Sequence, residues 1–219
     1  MSRSLINRDI VAMVIAGGYS ERMGEFKPVL EIGEKTAIVH LIDNICSAGI
    51  TKIYIVTGHE AKKIKDEISK YRRSKDKIMK QLIKAVHNEN YDEGMFSSIK
   101  SGLRELSKSE DVKGVLLFPV DIPLVSLDTI WGVIQEYKRY DMPAKFCMPR
   151  VGEKNGHPLL IPREYFEEIL EYEGDGGLKA IRRKYDDDSL FFNTDDEGAL
   201  LDMDSPEDYK RLVEYYESK

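Results

Sequence analysis

Cysteine is scarce in this chain: Cys46 and Cys147 are the two in 219 residues. They lie far apart and outside any CxxC spacing, which argues against both a disulfide framework and a cysteine zinc site. A reducing cytoplasm is therefore the expected location. Long apolar runs are missing too. No stretch approaches the length of a bilayer span, and the opening Met-Ser-Arg-Ser-Leu-Ile-Asn-Arg-Asp lacks the apolar segment of a signal peptide, so neither a membrane nor an export route is expected. Nor is there an excess of basic charge: 33 Lys and Arg against 39 Asp and Glu leave a net charge of -6. A general nucleic-acid or acidic-membrane partner rewards a basic surface and is not expected. Any anionic ligand must be held by a local site. With no repeat, low-complexity segment or linker, residues 1–219 are expected to form a single domain.

What is present is an alternation of strand and helix patterns. Ile10 to Ala16 is a continuous Val- and Ile-rich run ended by Gly17-Gly18, the pattern of a strand buried on both faces. Ala37, Ile38, Leu41, Ile42 and Ile45 recur at helical spacing and stop at Gly49. Strands are predicted at Ile53 to Val56, Leu82 to Val86 and Val115 to Phe118, and helices at Glu60 to Arg73, Gly94 to Leu106 and Leu127 to Tyr140. The lysines and arginines of Glu60 to Arg73 are expected on a solvated helix face. From Phe146 to Ile161, two strand-like pieces flanking Gly152 to Gly156 predict an antiparallel excursion. A helical region at Leu178 to Tyr185 follows the Gly-Asp-Gly-Gly turn, and Ser205-Pro206-Glu207-Asp208 reads as a capped helix start. The fold class implied is α/β: a Rossmann-like three-layer fold with a mostly parallel sheet and a small antiparallel excursion. Ligands are then expected beyond the carboxyl ends of the strands, in the loops after Ala16, Val86 and Phe118.

The first strand runs into Gly17-Gly18-Tyr19-Ser20-Glu21-Arg22-Met23-Gly24-Glu25-Phe26-Lys27. Glycines let backbone N–H groups approach a phosphate, and Arg22 and Lys27 would neutralise its oxygens. Gly24 is followed by Glu25 where a Walker loop needs Lys, and GxGxxG spacing is absent. The composition alone equally suits a solvated turn. Its wording is more specific. Ile15-Ala16-Gly17-Gly18, Ser20, Arg22-Met23-Gly24 and Phe26-Lys27-Pro28 resemble the signature of the MobA-like NTP transferase family, which includes the molybdenum cofactor nucleotidyltransferases. Further blocks follow in order: Asn88 with Gly94-Met95, Ser97-Ser98 and Gly102-Leu103; Asp121-Ile122-Pro123-Leu124; Gly156-His157-Pro158; and Asp202 to Asp208. The likeness is greatest to the molybdenum cofactor cytidylyltransferase branch.

The resemblance implies that Ala16, Gly17, Gly18, Arg22, Lys27, Asn88, Gly94 and Ser98 bind the nucleotide, with Arg22, Lys27 and Asp121 in catalysis. It places Gly156, His157 and, more weakly, Asp175 on the acceptor side. A hard cation such as Mg2+ takes carboxylate and phosphate oxygens, so Asp121 is the first candidate ligand and Asp204 the second, with Asp202 as a substitute. Each residue also has a plain structural reading. Asp121 can be a turn carboxylate before Pro123, Ser97 or Ser98 a helix cap, Met95 a core filler, His157 a structural histidine, and Asp202 and Asp204 helix-start charges. Asp186 to Asp188 are read as solvated loop acids.

The activity implied is transfer of a nucleoside monophosphate from an NTP to a phosphate monoester, with release of pyrophosphate. CTP is the favoured donor and GTP a possible one; molybdopterin or its molybdenum form is the acceptor, and a molybdoenzyme or cofactor chaperone a transient partner. Alternatives are a sugar-phosphate or alcohol-phosphate nucleotidyltransferase and a non-catalytic nucleotide-binding assembly factor. One departure bears on the donor. Cytidylyl enzymes of this type tend to read Ala-Ala-Gly where this chain has Ala16-Gly17-Gly18, as guanylyl enzymes do. The missing methyl at Gly17 is expected to leave room for a purine, and Gly17→Ala to sharpen the preference for CTP.

Overall fold

A computed structural model describes residues 9–74, 83–141 and 144–219. Its strands and helices, in chain order, begin with β1 (Ile10–Ala16), the short hairpin β2 (Glu31–Ile32) and β3 (Lys35–Thr36), α1 (Ala37–Ser47), β4 (Ile53–Thr57), α2 (Ala61–Ser74) and β5 (Ile83–His87). Next come α3 (Met95–Leu106), β6 (Gly114–Pro119), α4 (Leu127–Arg139), β7 (Cys147–Val151), β8 (Lys154–Asn155) and β9 (Leu159–Pro162). The last are α5 (Phe166–Glu171), α6 (Gly177–Arg183), β10 (Leu190–Asn193) and α7 (Pro206–Glu217).

Among the described residues the main sheet has the order β10-β7-β9-β6-β1-β4-β5, with β8 paired to β7. β1 is parallel to β4 and β6, and β4 is parallel to β5. Their registers bring Ala16 beside Thr57, Thr57 beside His87 and Ile15 beside Pro119, so these strands end at one edge. β9 is inserted between β6 and β7 and antiparallel to both, and β8 is antiparallel to β7.

Every residue of β1 is buried because helices cover both faces of the sheet. Ile10, Ala12 and Val14 pack with α1, α2 and α4, while Val11, Met13 and Ile15 pack with α3, α5 and α6. Alternate side chains thus enter two cores, which is why the sequence shows an unbroken apolar run. The three-layer α/β reading holds. Ser205 caps α7 and forms a capping box with Asp208, as its start sequence suggested. On α2, Ile64 and Ile68 face the core while Lys63 and Lys70 pair with Glu60 and Glu67.

Several elements depart from the sequence reading. β5 covers Ile83–His87, and the predicted start at Leu82 lies outside the described residues. The antiparallel excursion is present, and within it β8 adds a short hairpin with β7 inside the predicted Gly152 to Gly156 segment. β2, β3, α5 and β10 had no sequence signal, being two to six residues long. Asp186 to Asp188 form a short 3-10 turn rather than a free loop, with Asp186 and Asp188 paired to Arg182 and Lys145.

Candidate active site

The glycine loop leaves the buried end of β1 and is held in a fixed turn. Ser20 adopts a positive φ of 60°, and its carbonyl accepts from the Met23 and Gly24 N–H groups at 3.1 Å each. Its Oγ accepts from the Lys27 N–H at 3.2 Å. Met23 is buried with Leu30, Ile32, Met203 and Leu212. The same small core therefore anchors the loop and the segment before α7.

That shared anchor brings the distant acids to the loop cations. The Met203 N–H donates to the Asp121 carbonyl at 3.0 Å, which ties the end of β6 to the Asp202–Asp204 segment. Lys27 Nζ donates to Asp204 Oδ1 at 2.5 Å and lies 3.6 Å from Asp121 Oδ2. Arg22 takes the other oxygen, Asp204 Oδ2, at 2.7 Å. The Lys27 hydrogen bond and the two cations hold the Asp204 carboxyl below its ordinary range. Burial pushes Asp121 the other way, with Lys27 opposing. A cationic nitrogen thus sits between two carboxylates of opposite bias, a donor set of hard oxygens that suits a divalent cation. Among the described residues no group of three or more His, Cys, Asp or Glu side chains is placed to hold a metal. One or two carboxylates would leave the rest of a magnesium shell to phosphate oxygens and water.

These groups stand at the junction of two cavities. The first, about 460 Å³, is lined by Ala16, Gly17, Gly18, Arg22, Lys27, Gly94, Ser98, Asp121 and Asp204. Nearly the whole nucleotide-side set is therefore brought together. Asn88 is the exception. It is buried, does not line the cavity, and donates from Nδ2 to Ser97 Oγ at 2.8 Å and Ser98 Oγ at 3.1 Å. These bonds tie the loop after β5 to the first turn of α3. The alternative reading of Ser97 or Ser98 as a helix cap does not hold: Gly94, at φ 93°, is the N-cap and no side chain caps the helix. Only glycine adopts that conformation readily.

Gly17 carries a second correction. A Cβ built there would lie 2.9 Å from the Gly58 backbone nitrogen and 3.2 Å from the Thr57 carbonyl carbon. The methyl would press on the end of β4, so its absence reflects close approach of two backbones rather than room for a purine. Sequence reasoning passed over the aromatic side of the cavity. Tyr19 and Tyr91 both line it with ring centroids 5.5 Å apart, and His59 lies 4.9 Å from Tyr19. Met95, read as a possible core filler, is 55% exposed and borders both cavities.

The second cavity, about 550 Å³, shares Asp121, Asp204 and Met95 with the first and adds Gly156, His157 and Asp202. The His157 ring is half-buried, and its enclosed Nδ1 has no hydrogen-bond partner. Burial lowers its pKa to about 4, against a weaker opposing contact with the Leu117 backbone. At neutral pH it is an uncharged imidazole, poorly matched to general-base work. Asp175 lines neither cavity; it is exposed, and its carbonyl accepts from the Tyr172 hydroxyl at 2.9 Å. The polar groups contributed from that region are instead Lys179 and Arg182 of α6. Their one signal in the sequence was a spacing of three on a predicted helix, which places them on one face.

No helix among the described residues is long and apolar enough to cross a membrane. Comparison with known proteins bears on the site as a whole. A bifunctional protein GlmU from Bacillus cereus is 20% identical over 166 residues, 74% of this chain and 33% of the relative. The chain thus spans about a third of the length of the curated relatives it matches. Rv0371c from Mycobacterium tuberculosis H37Rv superposes with a TM-score of 0.76 at 22% identity, covering 94% of this chain and 98% of that one. A manganese complex of Rv0371C gives 0.69 at 19% identity, covering 94% and 98%. A nucleotidyl transferase from Methanothermobacter thermautotroptrophicus gives 0.76 at 20% identity, covering 95% and 98%. The model of the MobA-like NTP transferase domain matches residues 12–189, a span that includes the glycine loop, Asp121 and His157, and the chain therefore belongs to that family of nucleotidyltransferases.

Proposed function

We propose that this protein transfers a nucleoside monophosphate from an NTP to a phosphate monoester and releases pyrophosphate, with Mg2+ as cofactor and CTP favoured over GTP. The acceptor in this reading is molybdopterin or its molybdenum form, and residues 1–219 act as one cytoplasmic nucleotidyltransferase domain. The observation that carries it is the cluster of Lys27, Arg22, Asp204 and Asp121 at the junction of two cavities. The first cavity then takes the triphosphate and the second the acceptor. The CTP preference rests on the sequence blocks beyond the glycine loop, now that the geometry at Gly17 no longer argues for a purine.

In this mechanism Arg22 and Lys27 exchange Asp204 for phosphate oxygens of the triphosphate. Asp121 and Asp204 would hold the magnesium ion, whose charge offsets the repulsion between two phosphate anions. An acceptor phosphate oxygen attacks the α-phosphorus, forming the new P–O bond as the bond to the β-phosphate oxygen breaks and pyrophosphate leaves in line. The acceptor phosphate is already ionised near neutral pH, so no side-chain nucleophile is required. Orientation and charge neutralisation supply the rate. Pyrophosphate release from purified protein with each NTP, Mg2+ and a panel containing molybdopterin and sugar phosphates tests the reading. Release that needs both CTP and molybdopterin supports it, and release with sugar phosphates alone replaces the acceptor. Absence of release with every pair argues for a nucleotide-binding assembly factor.

A further inference from the structure

Much of the lining of the second cavity is apolar. Ile99, Leu117, Met148 and Leu159 are each less than a tenth exposed, and they meet Ile122 and Leu178 around the space. Asp121 and Asp204 stand where the cavity joins the first, and Asp202, Lys179, Arg182, Asn155 and His157 complete the polar part of the lining. Arg182 is paired with Asp186, whereas Lys179 is exposed and has no ion pair among the described residues. His157 brings an enclosed nitrogen without a partner.

We infer that this cavity selects a phosphomonoester with a largely apolar body over a hydroxyl-rich sugar phosphate, and that Lys179 attracts its charge. The place given to the phosphate rests on the nucleotidyl-transfer reading above. A sugar entering this space leaves water for walls that are apolar over much of their extent, and each hydroxyl left unmatched weakens binding. An apolar ring of the same size gains contact with Leu178, Met148 and Leu159 instead. With Asp121 and Asp204 at the junction and Arg182 paired with Asp186, Asp202, Asn155 and His157 remain to satisfy a few polar groups on the ligand, fewer than a ring of hydroxyls presents.

The test uses the full chain and two matched probes, phenyl phosphate and glucose 1-phosphate. They are titrated by calorimetry in the presence of Mg2+ and a saturating non-hydrolysable NTP that fills the first cavity. Phenyl phosphate is expected to bind about tenfold more tightly, a difference of about 1.4 kcal/mol. Leu178→Asn should shrink that ratio. Lys179→Ala should weaken both probes several-fold while leaving nucleotide affinity unchanged. Equal or reversed affinity in the wild type, absence of phenyl phosphate binding, a ratio indifferent to Leu178→Asn, or probes indifferent to Lys179→Ala would each overturn the inference. Failure of the nucleotidyl reading appears elsewhere, as loss of magnesium-dependent binding of a fluorescent NTP analogue.

Discussion

Lys27 and Asp204 are 177 positions apart and meet through a hydrogen bond of 2.5 Å, with Arg22 on the other carboxylate oxygen. The loop cations are thus neutralised from within before any phosphate is bound. Because the fold lowers the pKa of Asp204, this carboxylate stabilises the protein above its ordinary value of about 3.9 and ceases to do so as pH falls through the lowered one. Asp204→Asn is expected to reduce Tm at pH 7, with the gap to wild type closing below about pH 4. Thermal melts from pH 7 to 3 read this directly. A gap that stays constant with pH would separate the stability of the fold from the ionisation of Asp204.

The two cations should respond differently to truncation. The Arg22 side chain is 76% exposed and that of Lys27 13%. Arg22→Ala is expected to keep stability within about 0.5 kcal/mol and to raise the KM for the triphosphate. Lys27→Ala also leaves Asp121 and Asp204 without their shared partner, so both Tm and kcat should fall. Steady-state kinetics with denaturant melts on the two variants distinguish them, and matched stability losses would remove the distinction.

Asp121 is the group whose removal should cost turnover without costing the fold. Burial raises its pKa, so keeping it ionised at neutral pH works against stability. Asp121→Asn should melt at or above the wild-type temperature while turnover drops by about 10² to 10³. For the wild type, the acid limb of kcat/KM should lie above the usual aspartate value of about 3.9. Normal pyrophosphate release by the variant at saturating Mg2+ would take Asp121 out of the mechanism.

Gly17→Ala places a methyl 2.9 Å from the Gly58 backbone. Overpacking against backbone is expected to cost about 1 to 3 kcal/mol and to leave the ratio of CTP to GTP efficiency unchanged. Competition kinetics with both donors checks the second part. A sharpened preference for CTP at full stability would restore the purine-room explanation.

His157 should make the protein sensitive to mild acid. The unfolded chain takes up a proton near pH 6.5, while the folded ring resists until about pH 4. Stability is therefore lost as pH falls through that window. His157→Gln should flatten the slope of Tm between pH 6.5 and 4.5, whatever its effect on the absolute Tm.

The parallel half of the sheet was legible because β1, β4 and β6 are buried on both faces and flanked by amphipathic helices, which leaves strong periodic patterns. β10, Leu-Phe-Phe-Asn, is four residues long with three half-buried positions, too short for any period to emerge. Most of the nucleotide-side residues were legible because they sit in contiguous blocks at strand ends. That two serines occupy the Asn88 amide, set back from the cavity, was not legible in the sequence. Lys179 and Arg182 were missed because surface cations on a helix are common, and only the position of α6 over the cavity distinguishes them.

The reversal of β9 has a consequence for how the cleft is divided. β9 runs against β6, with Leu117 opposite Leu159, so the chain enters β9 at the edge where it leaves β6. Gly156 and His157, which lead into β9, thereby reach the same rim as loops that lead out of β1 and β6. The strand acts as a seam: upstream, β1, β4, β5 and β6 form a chassis with one common register, and downstream lies a part whose strands join that sheet along the β6–β9 ladder while its helices pack on the shared core. Insertions or shortened turns between Ala144 and Asn193 can reshape the second cavity without re-registering the strands that carry the glycine loop. In such a layout, the choice of acceptor can change over evolution while donor handling stays constant.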